Sequence, residues 1–287
     1  MPELPQVEAL ARFLDARLPG HTLARIEVGS ASVLKTFAHP ASELVGRRID
    51  GVSRHGKFLD IRMAPLHLVF HLARAGWLVW HESLPPRRIG PGRGRIAVRL
   101  GTDDGRGFDL TEAGTQHRLA VHIVEDAGEV PGVASLGVDP LGPGFTPGAL
   151  DALLDTAGRA QLKGVLRDQR VIAGIGNAYS DEILHAARLS PFKPAATLDE
   201  DGRHDLYRAI RGGLEAALEH AEGLAPAQLK ADKRIGLRIH GHAGEPCPVC
   251  GTSIAQVSFA DSSLQYCPHC QTGGKILADR RMSRLLR

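Results

Sequence analysis

The sequence predicts a two-domain α+β protein in which a β-sandwich or barrel is followed by a helical domain that ends in a cysteine-rich module. Three observations carry this prediction. Short apolar stretches with strand-like alternation occupy the first half of the chain, apolar residues recur at helical spacing after residue 200, and all four cysteines lie between positions 247 and 270. At 287 residues the chain has room for two hydrophobic cores, since domains usually contain about 100–200 residues.

The N-terminal half begins with an amphipathic helix. Apolar side chains recur at helical spacing through residues 5–18, and a Pro-Gly pair then ends the pattern. Strand-like stretches follow at residues 58–63, 67–80 and 96–100. An Asp-Gly pair at 104–105 separates the last stretch from residues 108–110, which predicts a β-hairpin. These elements predict a sandwich or barrel flanked by the first helix.

The second half of the chain changes to helical spacing. Residues 131–147 are rich in Gly and Pro and predict a linker. Beyond them an apolar stripe repeats every four residues, as on a packed helix, at Leu206, Ile210, Leu214 and Leu218. We therefore expect an N-terminal domain at 1–130, the linker at 131–147, a helical domain at 148–240, the cysteine module at 241–273 and a basic tail at 274–287.

Composition and charge narrow the class of protein. Hydrophobic residues make up 43% of the chain and charged residues 23%, which excludes a disordered protein. No apolar run approaches the roughly 18 residues of a membrane helix, and the acidic start of the chain lacks the features of a secretion signal. We expect a cytoplasmic monomer with no membrane partner. Residues 226–287 contain nine Lys/Arg and four Asp/Glu, a balance typical both of a phosphate-binding surface and of a solvated basic one.

The four cysteines predict a zinc site. Cys247, Cys250, Cys267 and Cys270 form the pattern C-x2-C-x16-C-x2-C. Two close pairs separated by the length of a β-hairpin can converge on one Zn²⁺ ion, and four thiolates make a closed, structural site. Cytoplasmic thiols stay reduced, which favours metal over disulfides. The nearby His242 and His269 are not needed as ligands, because the set is already complete.

The chain start offers a candidate nucleophile. Removal of Met1 would expose the secondary amine of Pro2, and α-amino groups have a pKa of about 7.7–8.0, so part of the amine is unprotonated at neutral pH. Glu3 is adjacent and is a candidate general acid or base. By propensity alone, the start of a helix is the favoured explanation for Pro2 and Glu3.

Four ordered motifs resemble the formamidopyrimidine-DNA glycosylase/endonuclease VIII family over essentially the whole chain. The opening Met-Pro-Glu-Leu-Pro-Gln-Val-Glu resembles the family's N-terminus, and Arg-His-Gly-Lys-Phe-Leu at 54–59 resembles its hairpin lysine motif. Gly-Ile-Gly-Asn-Ala-Tyr at 174–179 is similar to the helix-two-turns-helix signature. Residues 244–247 and 270–271 resemble the borders of the family's zinc finger.

The resemblance implies a fold, an activity and roles for several residues. The fold would be an N-terminal β-sandwich flanked by helices, then a helix-two-turns-helix domain with a four-cysteine zinc finger. The activity would be removal of a damaged base from double-stranded DNA through a Schiff base on Pro2, followed by strand cleavage by β- or β,δ-elimination. Glu3 would transfer protons, and Lys57 would lie near the damaged base and its phosphate.

The same resemblance implies DNA contacts in the second domain. Asn177 follows two glycines at a helix start, where backbone amides favour anions, and Lys163 stands fourteen residues earlier, as in the family. Both are expected to contact phosphates. A glycine-rich helix junction used only for packing is the alternative for this segment, and a solubilising charge at a strand end is the alternative for Lys57.

The chain departs from the family pattern at several positions. Gln6 stands where the family usually has Glu, and Ser262 stands where the zinc hairpin usually has an arginine. His71-Leu-Ala-Arg74-Ala-Gly76 resembles the loop that presents a void-filling methionine, so His71 and Arg74 are expected to contact DNA, with an ordinary exposed arginine as the alternative for Arg74. The second filler segment is represented by residues 111–118, in which the candidates are Gln116, His117 and Arg118. Either the basic residues of the tail compensate for Ser262 or the tail is disordered; these residues are Lys275, Arg280, Arg281, Arg284 and Arg287.

The sequence supports one expectation about the substrate and one competing hypothesis about turnover. Leu4 and Pro5 resemble the purine-directed branch of the family, which favours oxidised purines as substrates. The competing hypothesis is a protein that binds DNA lesions or structures on the same fold without turnover, and the departures at Gln6, Ser262 and the filler segments favour it.

Overall fold

The computed structural model of the protein describes residues 1–90, 95–113, 116–232, 237–260 and 262–278. Its helices are α1 (Leu4–Asp15), α2 (Pro131–Ala134), α3 (Pro147–Ala157), α4 (Leu162–Arg167), α5 (Asn177–Ala186), α6 (Glu200–Ala221), α7 (Pro226–Ala231) and α8 (Pro268–Thr272). Its strands are β1 (Leu23–Val28), β2 (Gly51–His55), β3 (Phe58–Met63), β4 (Leu66–His71), β5 (Gly76–His81), β6 (Ile96–Thr102), β7 (Gly107–Glu112), β8 (Ala120–Val124), β9 (Ala255–Ser258) and β10 (Ser263–Tyr266). Within the described residues, no helix is both long and apolar enough to cross a lipid bilayer.

The chain divides into two compact units, each made of two segments. The first unit comprises Met1–Leu136 and His220–Lys233, and the second comprises Gly137–Glu219 and Arg234–Arg287. The division after Leu136 falls inside the segment expected to be a linker, which also carries the short helix α2. The first unit therefore includes α7, although more than eighty residues of the second unit precede it in the sequence.

The first unit is a β-sandwich of two antiparallel four-stranded sheets, with strand orders β1-β6-β7-β5 and β2-β3-β4-β8. Alternating side chains of both sheets meet in one apolar core, which α1 completes with Leu10 and Leu14, both fully buried. The predicted first helix is confirmed, although it ends at Asp15 rather than at residue 18. The hairpin predicted around the Asp-Gly pair at 104–105 is also confirmed, as β6 and β7.

Residues 67–80 form two strands rather than the single β-rich stretch of the prediction. β4 and β5 belong to different sheets, and a tight turn joins them. The Gly76 N–H donates to the Leu72 carbonyl at 2.8 Å, and a Cβ at Gly76 would lie 2.1 Å from that same oxygen. Ala73 adopts a left-handed φ of 50°. Only glycine fits at position 76, so the turn has one tight geometry, with Arg74 at its tip.

The second unit contains a helical part and a small zinc-finger part. α6 carries the predicted apolar stripe, of which Leu206, Ile210 and Leu214 are fully buried. α5 follows a glycine-rich turn in which Gly174 has a φ of +89°, a conformation that favours glycine. The zinc-finger part contains the hairpin of β9 and β10 and two small apolar clusters.

Candidate active site and metal centre

Pro2 and Glu3 lie at the beginning of α1 and follow Met1, which is 40% exposed. Pro2 is buried, and Glu3 is only 5% exposed. The Glu3 backbone N–H donates to Gln6 Oε1 at 3.0 Å. An amide oxygen accepts this bond as a carboxylate would, so Gln6 satisfies an N–H at the helix start that would otherwise lack a partner within the helix. The substitution of Gln for Glu thus removes a charge from this position and keeps the hydrogen bond.

Lys57 lies at the tip of the β2–β3 hairpin, where the φ of Gly56 is +56° and the lysine is only 6% exposed. Arg54 fixes this hairpin to α1, because its Nε donates to Glu8 Oε2 at 2.7 Å and its Nη1 donates to the Gly56 carbonyl at 3.1 Å. Burial disfavours the ionised form of Glu8, but Arg54 and Arg12 outweigh burial and hold the pKa of Glu8 below its usual range. From the sequence alone, Arg54 was assigned no role. The position of Arg54 three residues before Lys57, in the same motif, could have indicated one.

The positive charges of Lys57 and the amino terminus act on His71. It pairs with Phe58 across β3 and β4, and the two ring centroids are 4.8 Å apart. Burial is the largest cause that lowers the pKa of His71, to about 4, followed by the positive charges of Lys57 and the amino terminus, and by His122. The Ala73 N–H donates to His71 Nδ1 at 3.1 Å, so the neutral ring carries its proton on Nε2. Two predicted site positions, Lys57 and His71, are therefore electrostatically coupled here, together with the amino terminus of Met1.

The two expected filler segments are both in the first unit. Arg74 is exposed at the β4–β5 turn. In the other segment, Gln116, His117 and Arg118 are exposed, and residues 114–115 lie outside the described residues. Glu112 Oε1 accepts hydrogen bonds from the N–H groups of Arg118 at 2.7 Å and Leu119 at 3.0 Å. Glu112 thus holds the end of this segment through its backbone, and its Oε2 lies 3.7 Å from His117 Nδ1.

Asn177 and Lys163 have different environments in the second unit. Asn177 opens α5, where Gly176 is the N-cap and offers no side-chain cap, and its Nδ2 donates to the Ser263 carbonyl at 2.7 Å. Lys163 is buried, and its Nζ donates to Asn177 O at 3.0 Å, Ser180 Oγ at 2.9 Å and Asp181 Oδ1 at 2.6 Å. An ammonium has three protons, and protein acceptors take all three. In this environment Lys163 holds α4 against the start of α5, and its phosphate contact stays a prediction.

The four cysteines converge as a tetrahedral zinc ion requires. Their sulfur atoms all lie within 4.8 Å of one another, with Cys247 and Cys270 Sγ 4.0 Å apart and Cys250 and Cys267 Sγ 3.4 Å apart. Zn–S bonds of about 2.3 Å place tetrahedral thiolates about 3.8 Å apart, so the set fits the metal. Cys247 and Cys267 are buried, and the Cys270 N–H donates to Cys267 Sγ at 3.4 Å.

Neither nearby histidine joins the metal cluster among the described residues. His242 Nδ1 pairs with Glu245 at 2.9 Å, and His269 is exposed. Ser262 lies in the loop between β9 and β10, where its carbonyl accepts from the Phe259 N–H at 2.8 Å. Of the tail cations, Lys275 is exposed, whereas Arg280, Arg281, Arg284 and Arg287 lie outside the described residues.

Comparisons with known sequences match three successive parts of the chain to family models. Three family models match: the formamidopyrimidine-DNA glycosylase N-terminal domain at residues 1–115, its H2TH domain at 136–227, and a zinc finger found in FPG and IleRS at 244–273. The formamidopyrimidine-DNA glycosylase of Symbiobacterium thermophilum is 35% identical, over 98% of this chain and 93% of that protein. An uncharacterized formamidopyrimidine-DNA glycosylase-like protein of Mycobacterium tuberculosis is 52% identical over 147 residues, or 49% of this chain and 93% of that protein.

Solved structures support the same assignment and confirm the predicted fold class. The MutM (Fpg) protein of Thermus thermophilus superposes with a TM-score of 0.79 at 30% identity, over 96% of this chain and all of that one. Lactococcus lactis formamidopyrimidine-DNA glycosylase bound to AP-site DNA superposes with a TM-score of 0.81 at 26% identity, over 94% of this chain and 99% of that one. The four cysteines form a structural zinc site, as predicted. By its domain order, its sequence and its fold, the chain belongs to the formamidopyrimidine-DNA glycosylase family.

Proposed function

We propose that the protein is a bifunctional DNA glycosylase and AP lyase of base excision repair, which removes oxidised purines from double-stranded DNA and then nicks the strand. The observation that carries the proposal is the positive charge near the buried Pro2, where Lys57 and the amino terminus of Met1, the residue before Pro2, both act on His71. Positive charge favours an unprotonated amine and attracts phosphates. Membership of the family supports the glycosylase activity.

In this proposal the nucleophile is the Pro2 nitrogen of a chain that has lost Met1. Its attack forms an N–C1′ bond as the bond from C1′ to the damaged base breaks, and the amine proton passes to the departing base. Glu3 then protonates O4′ as the C1′–O4′ bond opens, which leaves an iminium ion at C1′. The burial of Glu3 beside Pro2 supports its assignment as the proton-transfer group.

Strand cleavage follows from the same iminium ion. The ion acidifies the 2′ hydrogen, the carboxylate of Glu3 takes that proton, and the 3′ phosphate leaves in a β-elimination. Where β,δ-elimination follows, water takes the 4′ proton as the 5′ phosphate leaves. In either case water finally hydrolyses the iminium ion and frees Pro2. The zinc ion supplies folding stability to the finger rather than chemistry at the sugar, because four thiolates leave no open coordination position.

DNA contacts are assigned to groups in both units. Lys57 and the Nε2–H of His71 are donors for phosphates beside the lesion, and the start of α5 with Asn177 is an anion site of the kind that helix N-termini provide. Exposed Arg74, with the exposed side chains at 116–118, would replace the flipped nucleotide in the stack. A guanidinium can do so because its plane stacks on bases. We assign oxidised purines as substrates from Leu4 and Pro5, and we expect the protein to act as a monomer.

Borohydride trapping tests the proposal directly. Protein shown by mass spectrometry to begin at Pro2 is mixed with duplexes that carry an oxidised guanine, an AP site or no lesion, and any imine is reduced. We expect a covalent adduct that peptide mapping places on Pro2, together with a nicked strand. Glu3→Gln should lower base release by about 100-fold or more. Lys35→Ala, at an exposed lysine, is the matched control and should leave trapping unchanged.

The same experiment decides against the proposal if lesion DNA binds tightly without an adduct or a nick. That outcome supports the competing hypothesis of a binding protein without turnover. An adduct that maps to a lysine rather than to Pro2 would preserve lyase activity but reject the proposed nucleophile.

A further inference from the structure

One face of α5 carries a polar stripe that binds the zinc-finger part of the second unit. Asn177, Asp181 and His185 follow one another at four-residue spacing, which places them on one side of a helix. Asn177 Nδ2 donates to the Ser263 carbonyl at 2.7 Å, and Asp181 Oδ2 accepts from the Gln265 N–H at 3.2 Å and from His240 Nδ1 at 2.7 Å. The third position of the stripe, His185, reaches the metal site itself.

His185 is only 4% exposed, and its Nε2 lies 3.3 Å from Cys247 Sγ. A zinc-bound thiolate carries no proton and can only accept a hydrogen bond, so the imidazole must be the donor in the metal-bound protein. Four thiolates around one Zn²⁺ leave a net negative charge, and an N–H···S bond from a buried ring spreads part of that charge. Groups of this kind orient metal ligands and tune metal affinity.

We propose that His185 is a positioning residue of the zinc centre, whose Nε2–H donates to Cys247 Sγ and makes α5 part of the outer shell of the metal site. The same helix begins at Asn177, beside the zinc hairpin. The metal, the hairpin and the start of α5 are thereby tied together by one row of side chains. This inference concerns zinc binding and holds whether or not the protein is an active glycosylase.

Paired substitutions separate hydrogen-bond donation from packing. His185→Phe keeps a planar ring of similar volume and removes the donor, whereas His185→Gln places an amide N–H near the former Nε2. We expect full-length H185F to release zinc to a chelator with a colorimetric indicator about 10–100-fold faster than the wild type. H185Q should release zinc at nearly the wild-type rate, because its amide N–H replaces the lost donor. His269→Phe, at an exposed histidine inside a cysteine pair, is the matched control and should retain zinc like the wild type.

The spectrum of a substituted metal provides a readout that packing alone would not move. In Co²⁺-loaded protein, loss of the N–H···S bond should shift the thiolate-to-metal charge-transfer bands in H185F and not in H269F. Wild-type zinc retention and unshifted bands in H185F would overturn the proposal, and so would equally fast zinc loss from H185Q and H185F.

A measurement on the wild-type protein covers the case in which H185F does not fold. In protein loaded with ¹¹³Cd²⁺, an N–H···S bond is expected to transmit scalar coupling from the metal to the imidazole Nε2 proton. Detection of that coupling in an imidazole-selective NMR spectrum supports the assignment. A His185 ring whose Nε2 carries no proton in metal-loaded protein rejects it.

Discussion

His71 shows how a single side chain reports on its electrostatic surroundings. Its ring stands on β4 beside Phe58, its Nδ1 accepts from the backbone of the following turn, and positive charges of Lys57 and the amino terminus act on it. Burial and these charges lower the pKa of His71 to about 4. The ring therefore stays neutral across the physiological range and keeps one N–H, on Nε2, for a ligand.

The lowered pKa of His71 predicts a pH-dependent loss of stability. Above pH 6.5 the ring is neutral in both the folded and the unfolded state, whereas between pH 6.5 and about 4 the unfolded state binds a proton that the folded state does not. The free energy of unfolding should therefore fall as the pH falls through this window, by at most roughly 3 kcal/mol from this residue. His71→Asn keeps an acceptor for Ala73 and does not titrate, so its pH profile should be flatter.

Tryptophan fluorescence reports on unfolding of the first unit, which contains His71. Both tryptophans of the chain, Trp77 and Trp80, lie on β5 of the sandwich. In urea unfolding at pH 7.5, 5.5 and 4.5, the free energy of unfolding should fall more steeply with falling pH in the wild type than in H71N. Parallel profiles for the two proteins would show that His71 does not carry the shift.

At the level of single residues, the sequence predicted those sites whose chemistry depends on residue type and local spacing. The four cysteines are the clearest case, because two close pairs need only one hairpin to converge. Lys163 is a different case. Its ammonium donates to Asp181 and Ser180, and no local pattern predicts these buried partners, while its phosphate contact stays a prediction. His185 was missed for the same reason, because its partner Cys247 is sixty-two residues away.

At the level of elements, α1 connects the chain start to the core. Its apolar face is buried in the sandwich, and its first turn lies beside Pro2 and Glu3. The Gln6 side chain caps the Glu3 N–H, so the departure from the usual glutamate preserves the local geometry of the helix start. The loss of charge at position 6 therefore gives weaker support to a protein without turnover than the sequence alone suggested.

Substitutions at Gln6 test this cap. Gln6→Ala removes the acceptor and should lower the free energy of unfolding of the sandwich by about 1 kcal/mol, as loss of a helix cap does. Gln6→Glu keeps an acceptor oxygen and places negative charge at a helix N-terminus, so its effect should stay within about 0.5 kcal/mol. Gln116→Ala, at an exposed glutamine, is the matched control. Urea unfolding followed by tryptophan fluorescence provides the comparison, and equal stability of Q6A and the wild type would rule out a capping role.

Element positions were predictable where periodicity is local, and sheet membership was not. Alternation located β3, β6 and β7, because one face of each strand meets the core. The same alternation runs through β4 and β5, although these strands belong to different sheets. The turn between them is recognisable only from the close backbone contact at Gly76. The return of α7 to the sandwich had no sequence signal, since it depends on contacts such as the bond from Trp77 Nε1 to the Pro226 carbonyl at 2.9 Å.

At the level of the whole molecule, the two units have different sources of stability. The sandwich has a large apolar core shared by both sheets and α1. The zinc-finger part has two small clusters, one of Ile239 and Ile254 with the cysteines and one around Val257, Leu264 and Tyr266. Apolar groups this few cannot offset the conformational entropy of ordering the segment, so the metal must supply much of its folding free energy.

Zinc removal should therefore unfold the finger and spare the sandwich. After chelation under reducing conditions, amide protons of β9, β10 and α8 should lose protection in hydrogen exchange, while those of β4 and β7 keep it. The urea midpoint reported by the two β5 tryptophans should change little, because β5 belongs to the first unit and all four cysteines belong to the second. Readdition of Zn²⁺ should restore protection, which separates metal loss from oxidation of the thiols. A tryptophan midpoint that drops together with finger protection would mean instead that the sandwich also depends on the metal.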